Sequence, residues 1–135
     1  MERFILQKDI HVFGFRVMSS GEGIGEAFEK LVGMLPEGVD RPYYGISKLT
    51  PQGLIYIATA LETFEGEGEK YKCIRYVIEK GTYLTLTLRD WRMKTERIKE
   101  LMYILAHTSA ADHATPCIEW YKDDNEMVCM RKSKN

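Results

Sequence analysis

The chain switches between stretches of period two and stretches of helical period. Val12, Phe13, Phe15 and Val17 dominate the segment from Phe4 to Met18, and this β-branched and aromatic content predicts a strand. Gly14 interrupts it and marks a bulge or a close approach of another backbone. Ser19-Ser20-Gly21 ends the strand and offers a cap for the next element. Ile24, Phe28, Leu31 and Val32 then recur at helical spacing, and Leu35 extends the stripe. Glu22, Glu26, Glu29 and Lys30 form the polar side, Pro36 stops the helix, and Glu37-Gly38-Val39-Asp40 reads as a turn. Tyr43 to Ser47 and Leu54 to Leu61 are extended, and Thr50-Pro51-Gln52-Gly53 between them has turn composition, so the two form a hairpin. Phe64 to Lys70 is polar and glycine-rich and reads as a solvated central linker.

The pattern then returns. Tyr71 to Ile78 is a strand, Lys80-Gly81 a break, and Tyr83 to Leu88 a strand in which Leu84, Leu86 and Leu88 alternate with Thr85 and Thr87. Asp90 is placed to cap a helix from about Trp91 to His107, with Ile98, Leu101, Met102 and Leu105 as its stripe. Thr108 to Thr115 is a loop. Pro116 opens the strand Cys117-Ile118-Glu119-Trp120-Tyr121, Lys122 to Asn125 is a hairpin turn, and Met127 to Met130 is the last strand. The order is β-α-β-β, linker, β-α-β-β, with half-repeats at about residues 3–62 and 71–132 that share pattern but little identity. The fold class expected is α+β. Two such units make one antiparallel or mixed sheet with pseudo-twofold symmetry, both helices on one side and a ligand cleft on the other.

Composition narrows the function. The 135 residues fit one domain spanning 1–135, and 44% hydrophobic content is enough for a core without disulfides or metal. With 19 basic and 20 acidic residues the net charge is −1, which argues against direct nucleic-acid binding; the basic tail Arg131-Lys132-Ser133-Lys134 reads as solubilising. No apolar run is long enough to span a membrane and the first residues do not resemble a signal peptide, so a cytoplasmic protein is expected. Cys73, Cys117 and Cys129 are widely spaced and odd in number, as in a reduced protein that buries them as small hydrophobes. His107, Asp112 and His113 share a loop but predict no metal site. Gly21-Glu22-Gly23-Ile24-Gly25 lacks the pattern of a phosphate loop and reads as a helix start. No cofactor is expected, and no Ser-His-Asp or Cys-His arrangement is present.

The unusual residue is Glu119, a carboxylate inside an apolar and aromatic strand. Alternation puts Cys117, Glu119 and Tyr121 on one face and Ile118 and Trp120 on the other. The Ile118 and Trp120 face is the natural one to pack on helices, which leaves Glu119 and Tyr121 on the opposite, open face. A carboxylate among aromatics must face water, pair with a base, or meet a cationic or hydrogen-bonding ligand. The plain alternative is an exposed Glu on the wet side of a sheet. Eight tyrosines supply rings for a cage around a flat or cationic molecule, although each alone is explained by packing. Tyr43 and Tyr44 are adjacent, so one of them looks toward any cleft.

Tyr43-Tyr44-Gly45-Ile46-Ser47, Ile55-Tyr56-Ile57-Ala58, Ile78-Glu79-Lys80-Gly81-Thr82-Tyr83 and Pro116-Cys117-Ile118-Glu119-Trp120-Tyr121 together resemble the GyrI-like effector-binding domain of the SOUL, gyrase-inhibitor and BmrR superfamily. The order of these segments matches across almost the whole length. The resemblance implies two pseudo-symmetric halves with a cleft that takes small organic molecules. It further implies that Glu119 meets the charge of a lipophilic cation, with Tyr121 two positions on and Tyr83 in the place of the family's Gly-x-Tyr tyrosine. Tyr43 or Tyr44, and Trp91 at the start of the second helix, are further candidate walls. The chain has no segment for a DNA-binding module, so a stand-alone member is expected.

Three functions follow. The first is binding of a small lipophilic molecule, flat or cationic, anchored by Glu119. The second is hydrolysis of a reactive molecule, such as one bearing a cyclopropane, with Glu119 as general acid or base and Tyr121 or Tyr83 as hydrogen-bond donor. The third is an interaction with a protein partner such as gyrase or a transcription factor, through strand edges and the acidic linker Glu65 to Glu69.

Overall fold

The structure is a computed structural model and describes residues 1–17 and 23–135. Eight strands form one antiparallel sheet: β1 (Glu2–Leu6), β2 (Ile10–Val17), β3 (Tyr43–Thr50), β4 (Gly53–Leu61), β5 (Ile74–Ile78), β6 (Gly81–Arg89), β7 (Cys117–Tyr121) and β8 (Glu126–Lys132). Their spatial order is β1-β6-β8-β7-β3-β4-β2-β5. Helix α1 (Ile24–Met34) packs on β2 and β4, and α3 (Thr95–Ala106) packs on β6, β7 and β8; α2 (Glu67–Lys70) is one short turn. The tandem β-α-β-β repeat is therefore present, and the halves meet at the central β3–β7 pair, related by a pseudo-twofold axis.

The first segment is two strands rather than one. Residues Gln7 to Asp9 separate β1 from β2, and β1 pairs with β6 of the other half while β5 returns the exchange by pairing with β2. Those short links join strands at opposite sides of the sheet order, which forces the sheet to curl into a half-barrel. Asp9 Oδ1 accepts the Lys80 N–H at 2.8 Å and ties the two links together.

The curl corrects the expected placement of the faces. Val12, Tyr44, Ile46, Ile78, Tyr83, Ile118, Val128 and Met130 fill most of the concave side with a helix-free core, which leaves a small cavity lined by Tyr76, Ile78, Tyr83, Pro116, Ile118 and Lys132. The convex side carries two more cores, one of Phe13, Leu31, Leu35, Tyr56 and Ala58 under α1, the other of Leu84, Leu101, Leu105, Met127 and Cys129 under α3. Trp120 packs against the concave core, whereas Cys117 and Tyr121 belong to the α3 side, so Glu119 lies on the helix-bearing face. Alternation separates two faces but does not say which one takes helices, and here both are covered.

Several local expectations also change. Gly14 is no bulge: it stays in register, and a Cβ there would lie 1.7 Å from the Ala58 carbonyl oxygen, so close backbone approach explains it. Asp90 caps nothing; it has φ 55° and no side-chain cap, a 3₁₀ turn covers Trp91–Met93, and α3 starts only at Thr95. The strand expected from Tyr71 starts at Ile74. The cap expected at Ser19-Ser20-Gly21 lies outside the described residues. The linker is not simply solvated. Glu67 is 1% exposed, and its Oε1 accepts from Arg41 Nη1 at 2.9 Å and from the Thr63 N–H at 2.9 Å.

Cys117 and Cys129 are buried, Cys73 is half-buried, and all three are free thiols. Among the described residues no helix is long and apolar enough to cross a membrane, and no cluster of His, Cys, Asp and Glu is arranged for a metal.

Candidate functional site

The β3–β7 register sets Gly45 opposite Glu119 and Tyr43 opposite Tyr121. Both pairs face the seam between α1 and α3. The Glu119 carboxylate accepts two hydrogen bonds on one oxygen: Tyr56 Oη donates to Oε1 at 2.5 Å and Tyr121 Oη at 3.0 Å. Gly45 makes this possible. A Cβ at that position would stand 1.9 Å from Tyr56 Oη and 2.6 Å from Glu119 Oε1, so any side chain would collide with the pair. The glycine is therefore required for space rather than for an unusual backbone angle.

Glu119 is 9% exposed. Among the described residues no Lys, Arg or His lies within ion-pair distance of it. Burial raises its pKa above the ordinary carboxyl value, and the hydrogen bonds from Tyr56 and Tyr121 offset only part of that rise. Burial, and then the adjacent carboxylate, hold the Tyr56 and Tyr121 phenols well above their ordinary range, so both remain donors. The second carboxylate oxygen differs from the first. Among the described residues no donor reaches Oε2, and it is not one of the sealed, unpartnered polar atoms. Among the described residues, the group is thus a buried carboxylate with two donors on one oxygen and none on the other.

Aromatic rings surround it. Phe28 of α1 stands edge-on to Tyr43, Tyr56 and Tyr121, with ring centroids 6.1, 6.4 and 5.6 Å away. Trp91 contacts Tyr121 from the other side at 4.9 Å. Its indole N–H donates to the Asp123 carbonyl at 2.8 Å. The Arg92 guanidinium lies 4.5 Å from the Trp91 ring centroid and pairs with Asp124 at 2.8 Å. Chemically, the arrangement can neutralise a cation, stack on a flat apolar body, or hold a proton on a carboxyl.

The structure brings Glu119, Tyr121, Tyr43 and Trp91 together. It does not bring Tyr44 or Tyr83 to them. Tyr44 stacks on Trp120 at 6.2 Å in the concave core, and Tyr83 donates to the Glu79 carbonyl at 2.5 Å on that same side. Burial pushes both phenols up to about 12. Of the adjacent pair, Tyr43 faces the seam, and its hydroxyl donates to the Gly38 carbonyl at 2.5 Å. Sequence reasoning missed Tyr56, Phe28 and the steric role of Gly45. Phe28 reads as part of a helix stripe. Tyr56 sits in a run of apolar residues with no alternation, and its signal is the pair of small residues at i+2 and i+4, Ala58 and Ala60, which share its face.

No family model matches the chain, and none of the curated proteins does. Solved structures match it in shape. An integron cassette protein from the mobile metagenome of Vibrio cholerae is 16% identical, with a TM-score of 0.68 over 98% of this chain and 95% of that one. SAV2435, solved bound to tetraphenylphosphonium, is 12% identical, with a TM-score of 0.66 over 100% and 95%. A protein from Staphylococcus aureus MU50 assigned to bacterial transcription regulation is 12% identical, with a TM-score of 0.55 over 98% and 99%. At these identities the likeness concerns the fold alone, two pseudo-symmetric halves on one curled sheet.

Proposed function

We propose that the chain binds a lipophilic organic cation in the seam between α1 and α3. Glu119 is the charge anchor, and Tyr121, Tyr56, Phe28, Tyr43 and Trp91 are the aromatic walls. One observation carries this reading: a carboxylate that is 9% exposed, has no basic partner among the described residues and is ringed by aromatic side chains. An uncompensated buried carboxylate is costly in a fold that gains nothing else from it. A cation with an apolar body removes that cost while burying rings against rings. The tetraphenylphosphonium bound by SAV2435, a protein of the same fold, supports the choice of ligand class. Tyr44 and Tyr83 fall outside this proposed site.

The test is a titration with tetraphenylphosphonium followed through tryptophan fluorescence, comparing wild type with Glu119→Gln. Losing the charge while keeping the shape is expected to weaken binding by roughly 10- to 100-fold. Equal affinity for the two proteins would remove Glu119 from the role of anchor.

A second reading rests on the raised pKa of Glu119 beside two phenol donors. A carboxyl that keeps its proton to higher pH can act as a general acid toward a strained electrophile, giving its proton to the opening ring as water adds to the other end and then recovering a proton from that water, while the Tyr56 and Tyr121 hydroxyls hold the carboxyl in place. Incubation with a cyclopropane-bearing electrophile, followed by mass spectrometry, tests it. A product heavier by one water with wild type and absent with Glu119→Gln supports hydrolysis, and unchanged compound with both proteins counts against it.

A further inference from the structure

The two oxygens of Glu119 are not equivalent, and this bears on which cations the site prefers. Oε1 already accepts from Tyr56 at 2.5 Å and from Tyr121 at 3.0 Å, so its lone pairs are taken. Oε2 has no donor among the described residues and is not sealed. Its other neighbours cannot supply one. Gly45 stands opposite Glu119 on β3 and contributes no side chain. Cys129 stands opposite on β8 as a buried thiol, a weak donor that lies 3.8 Å from the Met127 sulfur. Phe28 from α1, which packs on the Tyr56 and Tyr121 rings, is a hydrocarbon and has no proton to donate. Among the described residues, Oε2 is therefore free to accept a hydrogen bond as well as to meet a positive charge.

We infer that the site selects cations carrying an N–H, namely protonated lipophilic amines, over quaternary onium ions of the same shape. This rests on the cation-binding function proposed above and names the ligand class within it. A quaternary ion delivers charge through a shell of methyl or aryl groups. It strips water from Oε2 and returns no hydrogen bond, which leaves an acceptor unsatisfied in a dry site. A protonated tertiary amine supplies both, in a single charge-assisted N–H···O contact. A guanidinium could not form its bidentate pair with this carboxylate, because that pair needs a free lone pair on each oxygen and Oε1 is occupied. One N–H on an apolar body is the best match to one open oxygen within aromatic walls.

The test compares two probes of nearly equal size, biphenylmethyl-dimethylamine, which is protonated at neutral pH, and biphenylmethyl-trimethylammonium. Each is titrated calorimetrically against wild type and Glu119→Gln, with thermal unfolding as the check that the variant is folded. The amine is expected to bind wild type about tenfold or more tightly than the quaternary ion. That preference is expected to shrink to less than about threefold in Glu119→Gln, whose amide still accepts a hydrogen bond but carries no charge. Comparable affinities in wild type, both lost in Glu119→Gln, would overturn the donor preference and leave cation binding standing. Binding of neither probe, together with none of tetraphenylphosphonium, would overturn the cation reading and this inference with it. Should Glu119→Gln fail to fold, Tyr121→Phe takes its place. It gives Oε1 a spare lone pair and leaves Oε2 untouched, so a retained amine preference supports the inference and its disappearance counts against it.

Discussion

At the scale of the residue, Glu119 makes stability depend on pH in an unusual direction. Its folded pKa is raised, chiefly by burial, with the Tyr56 and Tyr121 hydrogen bonds working against the rise. Below the ordinary carboxyl value of 4.5 the group is protonated in both native and unfolded chains and costs nothing. As the pH climbs from there, the unfolded chain ionises first and the native state loses stability until the folded pKa is passed. The opposite sign applies to Glu67. Burial raises its pKa, but hydrogen bonds from Thr63 and Arg41 outweigh that and hold it below 4.5, so it contributes stability above the ordinary range and loses it in acid. Replacing Glu119 by Gln removes the first dependence and leaves the second. Melting temperatures recorded from acid to neutral pH are therefore expected to diverge, with Glu119→Gln gaining on wild type as pH rises and matching or exceeding it at neutral pH. Parallel curves for the two proteins would show that Glu119 titrates as in the unfolded chain.

At the scale of the element, the short helix α2 shows how a polar linker becomes structural. Arg41, just before β3, reaches across to the Glu67 carboxylate and also donates to the carbonyls of Leu61 at 3.1 Å and Pro36 at 3.0 Å. One guanidinium thus ties the end of α1, the end of β4 and α2 together, with side chains only 5% and 1% exposed. Glu67→Ala would leave the Arg41 charge buried without its carboxylate, and breaking such a pair from one side costs about 3–5 kcal/mol. Denaturant unfolding is expected to show that loss, and a change below about 1 kcal/mol would place the pair with weak surface bridges. Glu67 and Arg41 are 26 residues apart, and nothing local in Phe64 to Lys70 marks the contact. The elements that were legible carry their partners' pattern within themselves. Leu84 and Leu88 face α3 as their alternation requires, and Phe28, Leu31 and Leu35 line the inner side of α1. Glu119 was legible as an odd residue for the same reason. Tyr56 was not, because its meaning comes from a strand 63 residues away.

At the scale of the whole molecule, the fold is two half-repeats that do not complete themselves. Each gives its first strand to the other: β1 forms five residue pairs with β6, and β5 forms five with β2. The β3–β7 seam adds five more, among them the Gly45–Glu119 pair that builds the candidate site. The concave core is shared as well, since Val12, Tyr44 and Ile46 of the first half pack with Tyr83, Ile118 and Met130 of the second. This exchange is what the repeat pattern could not convey. A β-α-β-β period shows that two units exist, but the donated edge strands and the direction of curl depend on contacts between units. A half-repeat on its own would expose one side of β2 or β6 as an unpaired edge, along with half of a core. Chains cut between α2 and β5, as residues 1–72 and 73–135, are therefore expected to show no cooperative unfolding alone and to regain it when mixed. The regained complex would also recover any tetraphenylphosphonium binding shown by the intact chain, because Glu119 and Tyr121 come from one fragment and Tyr56 and Phe28 from the other. Cooperative unfolding of either fragment by itself would mean that the exchanged strands and the seam are an embellishment on self-sufficient halves, and the site would then be an interface between two folded units rather than part of one continuous sheet.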